Sequence, residues 1–347
     1  MQICSNRFIM SRSIIFPVLL TLYSIFSATA IAQTNDFYDD APQSALNGST
    51  LVVNGEIEQS YTVDFAALPL REVIVKEASY TETAGKFIGA YQYEGYSLYD
   101  ILNKAVLAKK NANEFPPIID LYVEIANAKG EKVVISWGEI YYPANRHQII
   151  IASKVRRIVP SKTKELWTLP VDSKLVVAAD LYTERNIDSP VSITIKSADV
   201  DYKIEKDMPY MYSPTVALKL PGSAKSIDEK SITASTTLYN TVFYGRGKGI
   251  HSTTPFNGVL LKERLKNDLS INPAALRHGI LVFAGVDGYR GVFTLSEVYN
   301  RNDQAELLLV PQQGVVGSGA YQLFPAMDFF SDRAIKGLAE IRYMEIE

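Results

Sequence analysis

The chain repeats itself at long range. Ala178, Asp180, Arg185, Ile187 and Ile193 recur as Ala326, Asp328, Arg333, Ile335 and Ile341, all at one constant spacing. Each set leads into an apolar, strand-like run, 191–195 in one case and 339–343 in the other. The spacing far exceeds that of a solenoid repeat, so it predicts two copies of one folded unit. The expected boundaries are 49–205 for the first copy, 206–214 for a linker carrying Pro209 and Pro214, and 215–347 for the second.

Arg7 and Arg12 precede an apolar run over 14–26, and Ala30-Ile31-Ala32 supplies the small residues of a cleavage site. Residues 1–32 therefore read as a secretory signal peptide, too short in its apolar run for a span. The only cysteine, Cys4, lies inside it, so the mature chain is expected to lack disulfides, thiolate metal ligands and cysteine nucleophiles. The expected location is the periplasm or the medium, with no membrane span after signal removal. Loss of Arg7 and Arg12 would move the formal charge from −3 to −5. A mildly acidic surface of mixed sign offers no footprint for nucleic acid. Residues 33–48 are polar and acidic and read as a mobile leader.

Short strand patterns with brief helices follow. Asn54-Gly55 reads as a hairpin turn returning at Tyr61-Thr62-Val63, and Asp64 as the N-cap of a short helix. Leu98, Ile101, Leu102 and Ala105 have helical spacing, and 121–125 alternates as a half-buried strand. In the second copy 256–261 leads a helix through Leu265, and 280–285 is a buried strand before the turn Asp287-Gly288. Strands at 307–310, 321–324 and 338–346 complete it. Such a pattern argues for an α+β fold with mixed β-sheets and short helices.

Phe256-Asn257-Gly258-Val259-Leu260-Leu261, Asp287-Gly288-Tyr289, Leu323-Phe324-Pro325 and Arg333-Ala334-Ile335-Lys336-Gly337-Leu338, in that order, resemble the molybdopterin-binding oxidoreductase domain of the sulfite oxidase superfamily. The likeness covers about 231–347 and is fainter over 51–196, where Lys129-Gly130-Glu131 answers Asp287-Gly288-Tyr289. It implies two tandem sulfite-oxidase-like domains and a molybdenum held by a cysteine thiolate. The matching stretches, 71–93 and 231–255, contain no cysteine, and an oxygen ligand would be harder and different. The expectation is a fold that has lost its metal, with no cofactor. The alternative is a periplasmic molybdopterin-dependent oxidoreductase with a non-cysteine ligand.

The loop from Tyr244 to Ser252 carries Gly245, Gly247 and Gly249 between Arg246, Lys248 and His251. Alternating glycines free the backbone for close approach, and the three side chains could meet an anion. A solvated surface loop is the plainer reading. Asp287 and Tyr289 flank a tight turn, and in family terms lie near the pocket mouth. Asp180 with Arg185 and Asp328 with Arg333 read as ion pairs or turn hydrogen bonds that fix the loop before the last strand. Lys336 has no counterpart in the first copy, where Pro190 lies close to its equivalent. Together Arg246, Lys248, His251, Asp287, Tyr289 and Lys336 form the candidate binding set. The expected function is a ligand-binding or interaction module for a small anionic ligand or a periplasmic protein partner. Exposed tyrosines such as Tyr91, Tyr93 and Tyr96 support a third reading, a carbohydrate- or surface-binding protein.

Overall fold

The computed structural model describes residues 41–205, 207–227, 236–312 and 319–347, and the signal peptide read over 1–32 lies outside them. In chain order the first half contributes β1 (Ser44–Ala45), β2 (Val52–Gly55), β3 (Tyr61–Thr62), β4 (Arg71–Ser79) and β5 (Lys86–Ser97). It continues through α1 (Leu98–Leu102), β6 (Leu121–Asn127), β7 (Lys132–Ser136), α2 (Trp137–Tyr141), β8 (Ile149–Arg157), β9 (Lys174–Val177) and β10 (Pro190–Ser197). The second half begins with β11 (Val216–Leu220), β12 (Ser223–Ile227), β13 (Thr237–Tyr239), β14 (Phe243–Gly245), β15 (Gly249–Ser252) and β16 (Phe256–Leu260). It ends with α3 (Leu261–Leu265), α4 (Pro273–His278), β17 (Gly279–Gly285), β18 (Arg290–Thr294), α5 (Leu295–Tyr299), β19 (Leu307–Pro311), β20 (Tyr321–Pro325) and β21 (Leu338–Glu345).

The fold is mostly β, with four small sheets in a β-propeller-like arrangement, and this overturns the tandem α+β, sulfite-oxidase-like expectation. The physical reason lies in helix length. The apolar spacing that reads as helical at Leu98, Ile101 and Leu102 lasts a single turn, and the α-helices among the described residues span only five or six residues each. Helices so short are marginal alone and persist by packing and capping. Ser97, Ser136 and Thr294 cap α1, α2 and α5 through their hydroxyls, so each helix serves as a corner between strands.

Strand order recurs in the two halves. One sheet runs β3-β2-β10-β6-β7 and its counterpart β12-β11-β21-β17-β18. Each contains one parallel pair, β2 with β10 and β11 with β21. The other two sheets run β4-β5-β8-β9 and β13-β16-β19-β20, with β1 added along β8 in the first. A large apolar core lies in each half, with Val53, Ile125, Leu175 and Ile193 in the first and Leu218, Phe283, Leu323 and Ile341 in the second. Among the described residues no helix is long and apolar enough to cross a membrane.

The halves are joined by a buried polar centre built twice. Arg185 donates Nε and Nη2 to the two oxygens of Asp180 at 2.8 and 2.6 Å, and Nη2 and Nη1 to Glu139 at 2.6 and 2.8 Å. Arg333 does the same to Asp328 at 2.8 and 2.6 Å, and its Nη1 reaches Glu297 at 2.8 Å. Each arginine also crosses to the other half's helix cap, Arg185 to Thr294 Oγ1 and Arg333 to Ser136 Oγ, both at 3.2 Å. The backbone crosses reciprocally as well. Leu181 N–H donates to Asn300 O at 2.6 Å, and Phe329 N–H to Tyr142 O at 2.8 Å. Gly138 is required here, since a Cβ would overlap the Arg333 guanidinium.

Three local expectations change. Asn54-Gly55 does not turn the hairpin. It ends β2, where Gly55 at φ 96 lies against the Ile195 backbone, and the return strand starts six residues later at Tyr61. The leader read as mobile over 33–48 is held from Ser44 onward, because Ser44–Ala45 pair with β8 and Leu46 is buried. Tyr91 and Tyr93 are not surface platforms. Alternation along β5 turns both inward, to 1% and 0% exposure, with their hydroxyls on Thr168 O and Glu77 Oε1. Tyr96 is half-buried against Phe65. A carbohydrate reading built on these rings therefore loses its surface.

Candidate functional site

Only 80–85 separates β4 from β5, whereas 240–255 separates the corresponding strands β13 and β16. The added length folds into the β14–β15 hairpin, paired Phe243↔Ser252, Tyr244↔Ile250 and Gly245↔Gly249. The glycine-rich loop is thus a defined hairpin, closed at Gly249 with φ +80. Its buried Phe243 packs on Phe256 and Phe324, which fastens the hairpin base.

One wall of the hairpin faces a cleft of about 410 Å³. Arg246, Lys248 and His251 line it from the hairpin, Asp287 and Tyr289 from the β17–β18 turn, and Lys336 from the approach to β21. All six candidate residues are brought together there. Met211, Phe243, Ser331, Asp332 and Ala334 complete the lining, together with Gly245 and Gly247. Nothing in the sequence distinguished Met211 from an ordinary linker residue, or Ser331 and Asp332 from a polar turn.

Each wall is positioned by specific bonds. Asp287 Oδ1 accepts Tyr289 N–H at 3.0 Å, which shapes the turn, and Gly288 takes φ +79. Tyr289 then donates its hydroxyl to Asp332 O at 2.7 Å, tying the turn to the opposite loop. Burial, reinforced by the negative charge of Asp332, holds the Tyr289 phenol protonated well above the ordinary tyrosine range. Gly337 at φ +52 lets the backbone of Met211 approach closely.

The cations are not equivalent. Arg246 donates Nε and Nη2 to Asp332 Oδ1 at 2.9 and 2.6 Å, and Nη2 to Tyr142 Oη at 3.1 Å. Its guanidinium also lies 5.6 and 5.9 Å from the rings of Tyr142 and Phe330. The Asp332 hydrogen bond raises the Arg246 pKa, and burial pushes the Tyr142 hydroxyl up to about 12. Arg246 is therefore largely neutralised as a wall of the cleft. Lys248 and Lys336 are exposed, and no ion-pair partner for either is found among the described residues. His251 sets its ring 5.4 Å from Phe243, and Gly245 leaves the space that His251 and Ser331 Oγ border.

Among the described residues no group of three or more His, Cys, Asp or Glu side chains could hold a metal ion. The cleft offers cations to an anion but, among the described residues, no thiolate. Its residues do not fit the thiolate-held molybdenum that the resemblance implies. Compared with family models and with curated proteins, the chain finds no match.

Proposed function

We propose that this chain is a ligand-binding module that takes a small anionic ligand in the cleft beneath the β14–β15 hairpin. The observation that carries the reading is convergence. Lys248 and Lys336, for which no ion-pair partner is found among the described residues, reach one concavity from separate walls. Concave sites with a few convergent polar groups are where small molecules bind. The hairpin that supplies Lys248 has no counterpart between β4 and β5, so the activity belongs to the second half. On this reading an export signal over 1–32 would deliver the module to the periplasm or the medium.

The test is thermal unfolding at low ionic strength with millimolar phosphate or sulfate. Binding to the native state raises the midpoint with ligand concentration. The double variant Lys248→Glu, Lys336→Glu should lose that rise. An identical rise in the variant, or none in the parent, removes the reading.

A further inference from the structure

The binding reading leaves the ligand open, and size with charge placement narrows it. A cleft of about 410 Å³ falls within the roughly 300–1,000 Å³ range of small-molecule sites. An inorganic oxyanion displaces only about two or three waters, at roughly 30 Å³ each. Most of the cleft would then remain for something else to fill.

The lining indicates what that is. Lys248 and Lys336 are exposed, so positive charge sits at the rim. Phe243 is buried and Met211, Ala334 and Tyr289 are half-buried, so apolar and aromatic surface lies at depth. Arg246 is already matched by Asp332, and Asp287 has one oxygen committed to its own turn. The excess charge available to a ligand is thus that of the two lysines, partly offset by Asp287.

Resting on the anion-binding reading, we infer that the ligand is an organic anion whose aromatic or similarly flat apolar body enters the cleft. Its carboxylate, sulfonate or phosphate stays at the rim between Lys248 and Lys336. The rim supplies orientation through charge. Burial of the apolar body against Phe243, Met211 and Ala334 supplies most of the affinity, because exposed ion pairs contribute little in water.

Isothermal titration of the full chain at low salt tests this with inorganic phosphate, phenyl phosphate, 1-naphthyl phosphate and neutral 1-naphthol. The aryl phosphates should bind at least about tenfold tighter than phosphate, naphthyl more tightly than phenyl, and 1-naphthol should bind more weakly than its phosphate. Gly247→Phe provides a blocking variant, because a Cβ at Gly247 meets no atom within 4 Å. It should weaken 1-naphthyl phosphate about tenfold and leave inorganic phosphate within about threefold. Should that variant fail to fold, Lys248→Met with Lys336→Met serves instead. It should weaken the aryl phosphates and leave 1-naphthol unchanged. Inorganic phosphate binding as tightly as the aryl phosphates overturns the inference and leaves the anion site standing. Binding of 1-naphthol as tight as its phosphate, or of no anion at all, overturns both.

Discussion

Replacing Arg333 with methionine tests the polar centre directly. The substitution keeps an apolar stem of similar length and removes a guanidinium that is fully buried. Two carboxylates, Asp328 and Glu297, then lose their shared cation, and their side chains are 1% and 0% exposed. Breaking one buried pair costs about 3–5 kcal/mol, and with two acids left behind the loss should lie near the top of that range at pH 7.5. The pH dependence is the sharper part. Burial already raises both pKa values, with Arg333 pulling them back. Without it they rise further, so the folded variant binds protons where the unfolded chain has released them. Its stability must then increase as pH falls, and each extra proton is worth at most about 3 kcal/mol between pH 7.5 and 5. Urea unfolding of parent and variant at both pH values reads this out. A loss below about 1 kcal/mol, or one equal at both pH values, would refute the assignment. Arg185→Met should behave alike, since its bonds to Asp180 repeat those of Arg333 to Asp328.

Other expectations follow from the same geometry. Asp180, raised to about 6 by burial against the pull of Arg185, binds a proton more readily folded than unfolded. Its contribution is full at low pH and fades as pH rises from about 4 to 6, by up to about 3 kcal/mol. Urea titrations of the parent against Asp180→Asn should show that difference. Gly130 and Gly288 occupy matching turns at φ +86 and +79, but only a Cβ at Gly288 would overlap backbone, that of Lys203. Gly130→Ala should cost about 1 kcal/mol and Gly288→Ala distinctly more, measured by chemical denaturation. Thr294→Val removes the α5 capping box and the contact from Arg185, and should lower unfolding stability by about 2 kcal/mol.

The chain's own pattern determined a good deal. Local rules placed the N-cap at Asp64, the turn at Asp287-Gly288 and the ion pairs of Asp180 with Arg185 and Asp328 with Arg333, because each depends on residues a few positions apart. It also picked out six of the polar residues that line the cleft, since glycine-spaced cations and a lysine found in only one half are visible without coordinates. Tertiary structure decided the rest. One-turn apolar spacings looked like the helices of an α+β fold, and only strand pairing over long separations, such as Val52 with Ser192, shows them to be corners of small sheets. Whether Tyr93 faces solvent or core depends on which face of β5 is covered, and a strand's alternation does not name its inner face. The partners that brace the cleft, Asp332 for Arg246 and Asp332 O for Tyr289, lie 86 and 43 residues away. Contacts of that kind follow from how the backbone closes, and periodicity carries no record of them.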